Sequence, residues 1–193
     1  MTELGSNSAA LDIDQSIVLV GMMGAGKTTV GRRLAPRLGL DFIDADEEIE
    51  RAAGMKVSDL FKAHGEESFR RGEAQVIERL LDGPPIVLAT GGGAMVNDGT
   101  REIISKKSVS VWISSDIDTL LVRATRRGTR PLLKTGDPRK TLLRLLDERQ
   151  DFYSQATIRV DSRPGPHSNT VTAIIEALTP YFTANSEPQE ITS

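Results

Sequence analysis

The stretch GMMGAGKTT contains the spacing G-x-x-x-x-G-K-T, with Gly21, Gly26, Lys27 and Thr28 at the fixed positions. A glycine-rich turn leaves backbone N–H groups uncovered, so they can converge on an anion at the positive end of the following helix. An apolar run precedes the motif and a helical pattern follows it, as a phosphate-binding loop requires. We expect Lys27 to reach the β- and γ-phosphates of a nucleotide and the Thr28 hydroxyl to ligate Mg²⁺. The alternative is a plain turn in which Lys27 only caps or faces solvent.

Two aspartates, Asp44 and Asp46, close the second predicted strand with one residue between them. In an extended segment both carboxylates would face the same side. Beside bound ATP and magnesium, Asp44 could hold a metal-bound water. Asp46 could bind a substrate hydroxyl and draw off its proton as the oxygen attacks the γ-phosphate. The alternative is that one of the two simply caps the helix that begins in EEIERAA.

Three consecutive glycines, Gly91 to Gly93, follow the third predicted strand in TGGGAM. Each costs about 0.5–1 kcal/mol relative to alanine in conformational entropy, so we expect something to need close access to the backbone there. A ligand is the natural candidate. The alternative is a glycine-rich turn into the helix near NDGTREII.

Arg149 lies on the apolar side of a helix predicted over 138–153. Leu142, Leu145 and Leu146 form an apolar stripe, and Arg149 follows Leu142 by seven residues on that stripe. An inward arginine either snorkels to the surface, stabilises the helix C-terminus or binds an anion. The chemistry of the neighbouring motifs favours the third role, in which Arg149 binds an anion.

Arg70 flanks the apolar face of its own predicted helix, and the residues alone favour a surface role. Glu66 and Glu73 lie four residues before it and three after it, where they supply solvated ion-pair partners. If Arg70 and Arg149 did converge on one small molecule, that molecule would carry a carboxylate. Charge-assisted hydrogen bonds contribute about 1.5–3 kcal/mol each, enough to select an acid over a neutral polyol.

A long polar segment, 125–138, contains glycine and proline and interrupts the regular pattern. Such insertions are usually functional or disordered. Four arginines lie at or near its start: Arg123, Arg126, Arg127 and Arg130. Exposed arginine clusters are often only solvated, but an arginine on a segment that closes over ATP can raise the rate by about 10³–10⁵. We expect Arg130, which precedes the rigid Pro131, to have this role.

Five short apolar runs must position these residues, and they alternate with helical patterns at 16–20, 40–43, 85–89, 109–113 and 156–160. This alternation predicts an α/β fold with a parallel sheet covered on both faces by helices. Ligands bind such sheets outside the carboxyl ends of the strands. The phosphate loop, the aspartates and the glycines all follow a run directly, so the sequence predicts one site at that edge.

The composition narrows the class of protein. The chain has 193 residues, a formal net charge of −3 and no cysteine. This length predicts one domain with one active site, and the negative charge argues against a general nucleic-acid binder. Disulfides and thiolate metal sites are excluded, which suits a reducing compartment.

Neither a targeting signal nor a membrane span is predicted. The first 15 residues lack a basic region followed by an apolar one, and no apolar run approaches the roughly 20 residues that cross a bilayer. We therefore expect a cytoplasmic protein without a membrane partner. The polar ends, about 1–15 and 184–193, lack periodicity and are expected to be mobile. His64 and His167 lie in polar contexts without metal-ligand spacing, and we assign them no function.

The sequence resembles the shikimate kinases through six segments spread in order over about residues 16–180: GMMGAGKTTVGRRLA, DFIDADEEIE, the FR of ESFRRGE, LATGGGAM, RPLL and ERQDFY. The resemblance implies transfer of the ATP γ-phosphate to the 3-hydroxyl of shikimate, a step towards chorismate and the aromatic amino acids. It also implies a three-layer α/β/α fold with a five-stranded parallel sheet, similar to the nucleoside monophosphate kinases. The whole chain, 1–193, would be one kinase domain with a core over about 16–182, a substrate-binding segment over about 44–75 and a lid over about 125–138.

Residue roles follow from the same resemblance, which reverses the surface role favoured for Arg70. The predicted catalytic residues are Lys27, Asp46 and Arg130. The predicted shikimate-binding residues are Asp46, Arg70, Gly91, Gly92, Gly93 and Arg149, where the two arginines hold the carboxylate. The predicted ATP-binding residues are Gly24, Ala25, Gly26, Lys27, Thr28, Thr29, Arg123, Arg130 and Pro164, with adenine between Arg123 and the loop at 160–166. Thr28 and Asp44 are predicted to serve magnesium.

Three other functions are compatible with parts of the pattern. A kinase for gluconate or for a nucleoside monophosphate would share the phosphate loop and the fold, but not the combination of DADEE, TGGGA and an inward Arg149. A GTPase is disfavoured because no N-K-x-D motif is present. A non-catalytic module that uses ATP only as a conformational ligand is disfavoured by the joint presence of five residues: Lys27, Thr28, Asp44, Asp46 and Arg130. For the oligomeric state we take a monomer as the default.

Overall fold

The computed structural model describes residues 11, 13–126, 136–162 and 165–185. The strands of this part of the chain are β1 Ser16–Val20, β2 Asp41–Asp44, β3 Ile86–Ala89, β4 Ser108–Ser114 and β5 Ile158–Asp161. Its α-helices are α1 Lys27–Leu38, α2 Ala45–Ala53, α3 Val57–Leu81, α4 Asp98–Lys107, α5 Ile117–Arg126, α6 Pro138–Tyr153 and α7 His167–Asn185. A single 3-10 turn, Ala94–Val96, precedes α4.

The five strands form one parallel sheet in the order β2-β3-β1-β4-β5, flanked by helices. Ile17 of β1 lies opposite Val87 of β3 on one side and Val109 of β4 on the other. β1 and β3 are buried throughout, which explains why they read as apolar runs without alternation. β4 is buried except at Ser114, although serines alternate with valines at its start. The predicted α/β fold with a five-stranded parallel sheet is confirmed, and each predicted strand lies within two residues of an observed one.

The strand order divides the carboxyl edge of the sheet into two halves. β1 is central, and the segments after β2 and β3 lie on one side of it, while those after β4 and β5 lie on the other. Crevices at such a switch point are where open parallel sheets bind ligands. The phosphate loop follows β1 and therefore occupies the middle of the edge.

Two helices have features that matter for the site. The predicted helix over 138–153 coincides with α6, which is capped by the Asp137 carboxylate through the N–H groups of Arg139 and Lys140. Helix α3 contains Gly65 in a non-helical conformation with φ 75° and ψ 170°, so it consists of two helical segments that meet at a kink. The second segment carries Arg70 towards the sheet edge.

Some predictions concern residues outside the described ranges. Arg127, Arg130, Pro131, most of the predicted lid and Pro164 lie there, as do the predicted mobile ends apart from a few residues. The side chain of Arg126 is outside as well. Among the helices within the described ranges, none combines the length and the apolar character needed to cross a bilayer.

Candidate functional site

The phosphate loop connects β1 to α1, and its conformation depends on glycine. Gly21, Gly24 and Gly26 have φ values of 133°, 86° and 98°, in the left-handed region that other residues rarely adopt. Gly26 precedes α1, and its carbonyl accepts the first hydrogen bond of that helix, from the N–H of Val30 at 2.8 Å. The loop therefore turns directly into a helix N-terminus, as an anion-binding loop requires.

Lys27 is the first residue of α1 and is only 8% exposed. Its Nζ donates to the carbonyls of Gly21 at 2.6 Å and Met22 at 3.1 Å. The ammonium group thus lies inside the loop, and the interpretation in which Lys27 faces solvent is wrong. A buried cation at a helix N-terminus is electrostatically suited to a polyanion.

Asp44 and Asp46 do not lie on one extended segment, so that prediction is wrong. Asp44 ends β2, and its side chain caps α2 by accepting from the N–H of Asp46 at 3.0 Å. The cap starts the helix at once and places Asp46 in its first turn. The other carboxylate oxygen of Asp44 accepts a 2.8 Å hydrogen bond from the Thr28 hydroxyl. The helix-capping alternative is therefore correct for Asp44, and the same carboxylate also faces the phosphate loop.

The three glycines after β3 are closely approached by other groups. None of Gly91 to Gly93 has a left-handed φ. A Cβ added to Gly91 would lie 2.9 Å from Oδ1 of Asp46 and 3.1 Å from Oε1 of Glu73, and one added to Gly93 would lie 2.8 Å from Cζ of Arg70. The segment is also a turn into a 3-10 helix, as the alternative interpretation of TGGGA expected. The groups that approach Gly91 and Gly93 are the protein's own charged side chains, and the approach of a ligand stays a prediction.

Arg70 forms a partly buried ion pair with Glu73, not the solvated one that the residues alone favour. Its Nη1 donates to Glu73 at 2.6 Å, and the Glu73 side chain is completely buried. Glu66, at 3.3 Å, is the exposed partner that the spacing indicated. Burial raises the pKa of Glu73, while the adjacent Arg70 guanidinium lowers it. Oε1 of Glu73 is buried without a hydrogen-bond partner, which leaves an acceptor next to Gly91.

Asp46 combines burial with mixed neighbouring charges. Burial raises the pKa of the Asp46 carboxyl most, and the nearby Asp44 carboxylate raises this pKa further. Lys27 and Arg70 act in the opposite direction. An aspartate whose pKa is raised accepts a proton more readily than an exposed one, which suits a general base.

Arg149 faces inward, as predicted. Its Nη1 donates to the carbonyl of Gly92 at 3.0 Å, and the Tyr153 hydroxyl donates to the same oxygen. Tyr153 is 1% exposed, and burial raises the pKa of its phenol, so the group stays protonated and remains a donor. A guanidinium has five N–H donors, so this contact occupies only part of the Arg149 fork.

Arg123 lies on the other side of the phosphate loop, on α5. Its Nη1 donates to the Ser162 hydroxyl at 3.2 Å and approaches the carbonyl of Ala25 at 3.4 Å. Ser162 in turn accepts from the buried Thr170 hydroxyl at 3.1 Å. Arg123 is thereby placed between the loop and the segment after β5, where the resemblance puts adenine.

The structure brings the described members of the predicted site to one edge of the sheet, whereas Arg130 and Pro164 lie outside the described ranges. It adds two residues that sequence reasoning missed. Glu73 was assigned to the surface, although it lies four residues after Phe69 and four before Ile77 on the apolar face of its helix. Tyr153 was assigned no role, although it follows Arg149 by four residues on the apolar stripe of α6. Helical spacing was the signal in both cases.

The donor set fits a magnesium ion held mainly by phosphates. Within the described part of the chain, no group of three or more His, Cys, Asp or Glu side chains is placed to hold a metal. Thr28 and Asp44 instead put one hydroxyl and one carboxylate side by side at the loop. Mg²⁺ prefers such hard oxygen ligands and usually keeps several waters and substrate phosphates, so one or two protein groups suffice.

Comparisons with known proteins agree with this geometry. The family model described as shikimate kinase matches residues 23–179. The shikimate kinase of Bradyrhizobium diazoefficiens is 53% identical over 175 residues, which cover 91% of this chain and 84% of that protein.

Solved structures give the same result. A shikimate kinase from Acinetobacter baumannii in complex with shikimate superposes with a TM-score of 0.83 and 35% identity, covering 93% of this chain and 98% of that one. A gluconokinase from Sinorhizobium meliloti 1021 has a TM-score of 0.58 and 21% identity, covering 89% of this chain and 98% of that one, which shows a shared fold alone. The family match extends over most of the chain, and the chain therefore belongs to the shikimate kinase family of ATP-dependent kinases.

Proposed function

We propose that this protein transfers the γ-phosphate of ATP to the 3-hydroxyl of shikimate, giving shikimate 3-phosphate and ADP on the route to chorismate and the aromatic amino acids. One observation carries the proposal. Arg70, Asp46 and Arg149 all meet the turn at Gly91–Gly93, beside the buried Lys27 of the phosphate loop. This arrangement suits an acceptor that has a carboxylate at one end and a reactive hydroxyl at the other.

The acceptor is bound from both ends. Arg70 and Arg149 hold its carboxylate through charge-assisted hydrogen bonds. Asp46 and the turn at Gly91–Gly93 hold its hydroxyl groups. Glu73 fixes Arg70 from the buried side at 2.6 Å, which limits the positions that the guanidinium can take. A neutral polyol would bring no charged partner to these two partly buried guanidinium groups, so the site favours acids.

The reaction needs one proton acceptor and an aligned phosphoryl group. Asp46 takes the proton of the 3-hydroxyl as its oxygen attacks the γ-phosphorus, and the bond from phosphorus to the bridging oxygen breaks to release ADP. Lys27 stabilises the charge on the transferring group. Arg130 is proposed to add a second cation from the segment over about 125–138, which would act as a lid.

The nucleotide lies over the middle of the sheet edge. The residues proposed to bind its phosphates are Gly24, Ala25, Gly26, Lys27, Thr28 and Thr29. Arg123 and Pro164 are proposed to border adenine. Thr28 and Asp44 would hold magnesium, in part through water, and the ion when bound neutralises phosphate charge.

We also propose that the chain acts as a monomer in the cytoplasm and forms a single kinase domain with a core over about 16–182 and a substrate-binding segment over about 44–75. The absence of cysteine is consistent with a reducing compartment.

The test is ADP release by the purified protein with magnesium and ATP, comparing shikimate with its methyl ester, gluconate, AMP and no acceptor. We expect turnover with shikimate alone, because the ester removes the negative charge that Arg70 and Arg149 bind. Equal rates with shikimate and the ester would remove the arginines from carboxylate recognition. Turnover with gluconate or AMP instead would assign another kinase activity, and ATP binding without any acceptor-dependent release would indicate a non-catalytic module.

A further inference from the structure

His167 packs directly on the phosphate loop, although its sequence context indicated no function. It is the first residue of α7. A Cβ added to Gly26 would lie 2.9 Å from Cε1 and 3.3 Å from Nδ1 of this imidazole, and Nδ1 itself is buried. The ring is only partly exposed. His167 therefore lies against Gly26, the residue that precedes α1.

Arg123 approaches the same point. Its Nη1 would be 3.9 Å from the added Cβ of Gly26. Its hydrogen bond to Ser162 and the bond from Thr170 to Ser162, at 3.2 and 3.1 Å, connect α5 to the first turn of α7. The guanidinium and the imidazole, two planar polar groups, thus both lie within 4 Å of the same point above Gly26.

The topology determines which part of a nucleotide reaches this place. The acceptor pocket is built after β2 and β3, on one side of the central strand β1, whereas Arg123 and His167 follow β4 and β5 on the other side. A nucleotide whose terminal phosphate points at Asp46 must extend its nucleoside in the opposite direction. That direction leads past Gly26 to His167.

We propose that His167 contacts the nucleoside portion of bound ATP and so gives the site its preference for nucleotides over inorganic polyphosphates. The proposal rests on the proposed function only in its use of ATP. An imidazole can donate a hydrogen bond, accept one and pack against a flat ring or a ribose. The phosphates are left to the loop and Lys27.

The first test compares the binding of ADP and of pyrophosphate, both with Mg²⁺, by calorimetry to the unaltered protein, to His167→Ala and to the control His64→Ala. His64 is exposed on α3, far along the chain from the loop. We expect His167→Ala to weaken ADP binding about tenfold and to change pyrophosphate binding less than twofold, whereas His64→Ala changes neither. Equal weakening of both ligands would mean that His167 acts only by supporting Gly26, and unchanged ADP binding would mean that it makes no contact; either result overturns the proposal.

A second test observes the unaltered protein and does not require any change at His167. Because the chain has two histidines, its imidazole C–H resonances in untagged protein can be assigned with His64→Ala. We expect ADP to shift the His167 resonances and pyrophosphate to leave them nearly in place. If ADP leaves the His167 resonances in place, or if both ligands shift them equally, the inference is overturned.

The outcome is separable from that of the shikimate assay. Turnover of shikimate by a protein whose His167 resonances do not respond to ADP would refute this inference alone. A His167 resonance that responds to ADP in a protein that does not phosphorylate shikimate would refute the proposed acceptor and retain the nucleoside contact.

Discussion

The Thr28 hydroxyl donates a 2.8 Å hydrogen bond to Oδ2 of Asp44 and so joins the first turn of α1 to the end of β2. Oδ1 of the same carboxylate accepts from the N–H of Asp46 at 3.0 Å. One side chain therefore orients the residue that we propose as a metal ligand and starts the helix that carries the proposed base. A substitution at Asp44 can remove the charge of this side chain and keep its ability to cap α2.

Asp44→Asn should impair magnesium use without unfolding α2. Asparagine caps helices about as well as aspartate, but it lacks the negative charge that a divalent ion needs nearby. We expect the Mg²⁺ concentration for half-maximal rate to rise about tenfold or more, as is typical when groups around a metal are altered. Rate measurements over a magnesium titration check this, with Asp41→Asn at the exposed start of β2 as the control. An unchanged magnesium dependence would remove Asp44 from the metal site.

Asp46→Asn should abolish turnover while nucleotide binding persists. The amide cannot take the proton of the acceptor hydroxyl, so we expect kcat to fall by about 10²–10⁴. The dissociation constant of ADP, measured by calorimetry, should stay within about twofold, since the carboxylate acts on the acceptor and not on the nucleotide. Parallel losses of nucleotide affinity and rate would contradict this role.

The pH dependence of kcat/KM for shikimate should reflect the raised pKa of Asp46. The ionised carboxylate is the active form, so activity is present above its pKa and lost as the pH falls through it. Because burial and Asp44 raise this pKa, we expect the loss to begin at higher pH than for an exposed aspartate. A rate profile from neutral to acid pH checks this under conditions where circular dichroism shows intact structure. A midpoint in the ordinary aspartate range would argue that another group limits the rate.

Arg149→Lys should weaken acceptor binding selectively. A lysine ammonium cannot reach both the Gly92 carbonyl and a carboxylate in the fixed geometry of a guanidinium fork. Loss of one charge-assisted hydrogen bond costs about 1.5–3 kcal/mol, so the KM for shikimate should rise about tenfold or more. The KM for ATP should stay nearly constant. Arg144→Lys, whose exposed side chain pairs with Glu148 on the same helix, is the matched control; equal effects on both substrates would place Arg149 elsewhere.

Glu73→Gln should also act on the acceptor, through Arg70. Glutamine keeps the shape of the side chain but removes the charge that holds the guanidinium from the buried side. Displaced positioning groups cost up to about 100-fold, so we expect the KM for shikimate to rise on the order of 10- to 100-fold. Glu66→Gln, which removes the exposed partner of Arg70, should change it less than twofold because exposed pairs contribute little. Steady-state kinetics of both variants measure these two changes. Equal KM values for shikimate in the two variants would mean that the burial of Glu73 is irrelevant to the site.

The sheet could be predicted because its signals are local. The runs that became β1, β3 and β4 are buried on both faces, so apolar composition and the following motifs sufficed to locate them. The residues alone favour a surface role for Arg70, and only the resemblance to shikimate kinases predicts that it binds the acceptor. Arg149 could be placed correctly because its position on an apolar stripe is itself a local pattern.

The remaining features depend on contacts between distant segments. Helical spacing places Glu73 on the apolar face of α3, but its own segment does not indicate that the turn at Gly91, about 20 residues later, covers this face. His167 meets Gly26 only because β4 and β5 follow β1 in the sheet. The prediction that Asp44 and Asp46 share one extended segment is wrong because the Asp44 side chain caps α2. The helix therefore begins at Ala45, between the two aspartates.

The turn at Gly91–Gly93 also bears on how this protein could escape an inhibitor. Its surface is main chain, and a side chain added at Gly91 or Gly93 would displace Asp46, Glu73 or Arg70. These are the groups proposed to bind and activate the acceptor. A point substitution at either position would therefore move a group proposed to act on the acceptor, and we expect resistance to a compound that hydrogen-bonds only to this stretch of backbone to be accompanied by a loss of activity.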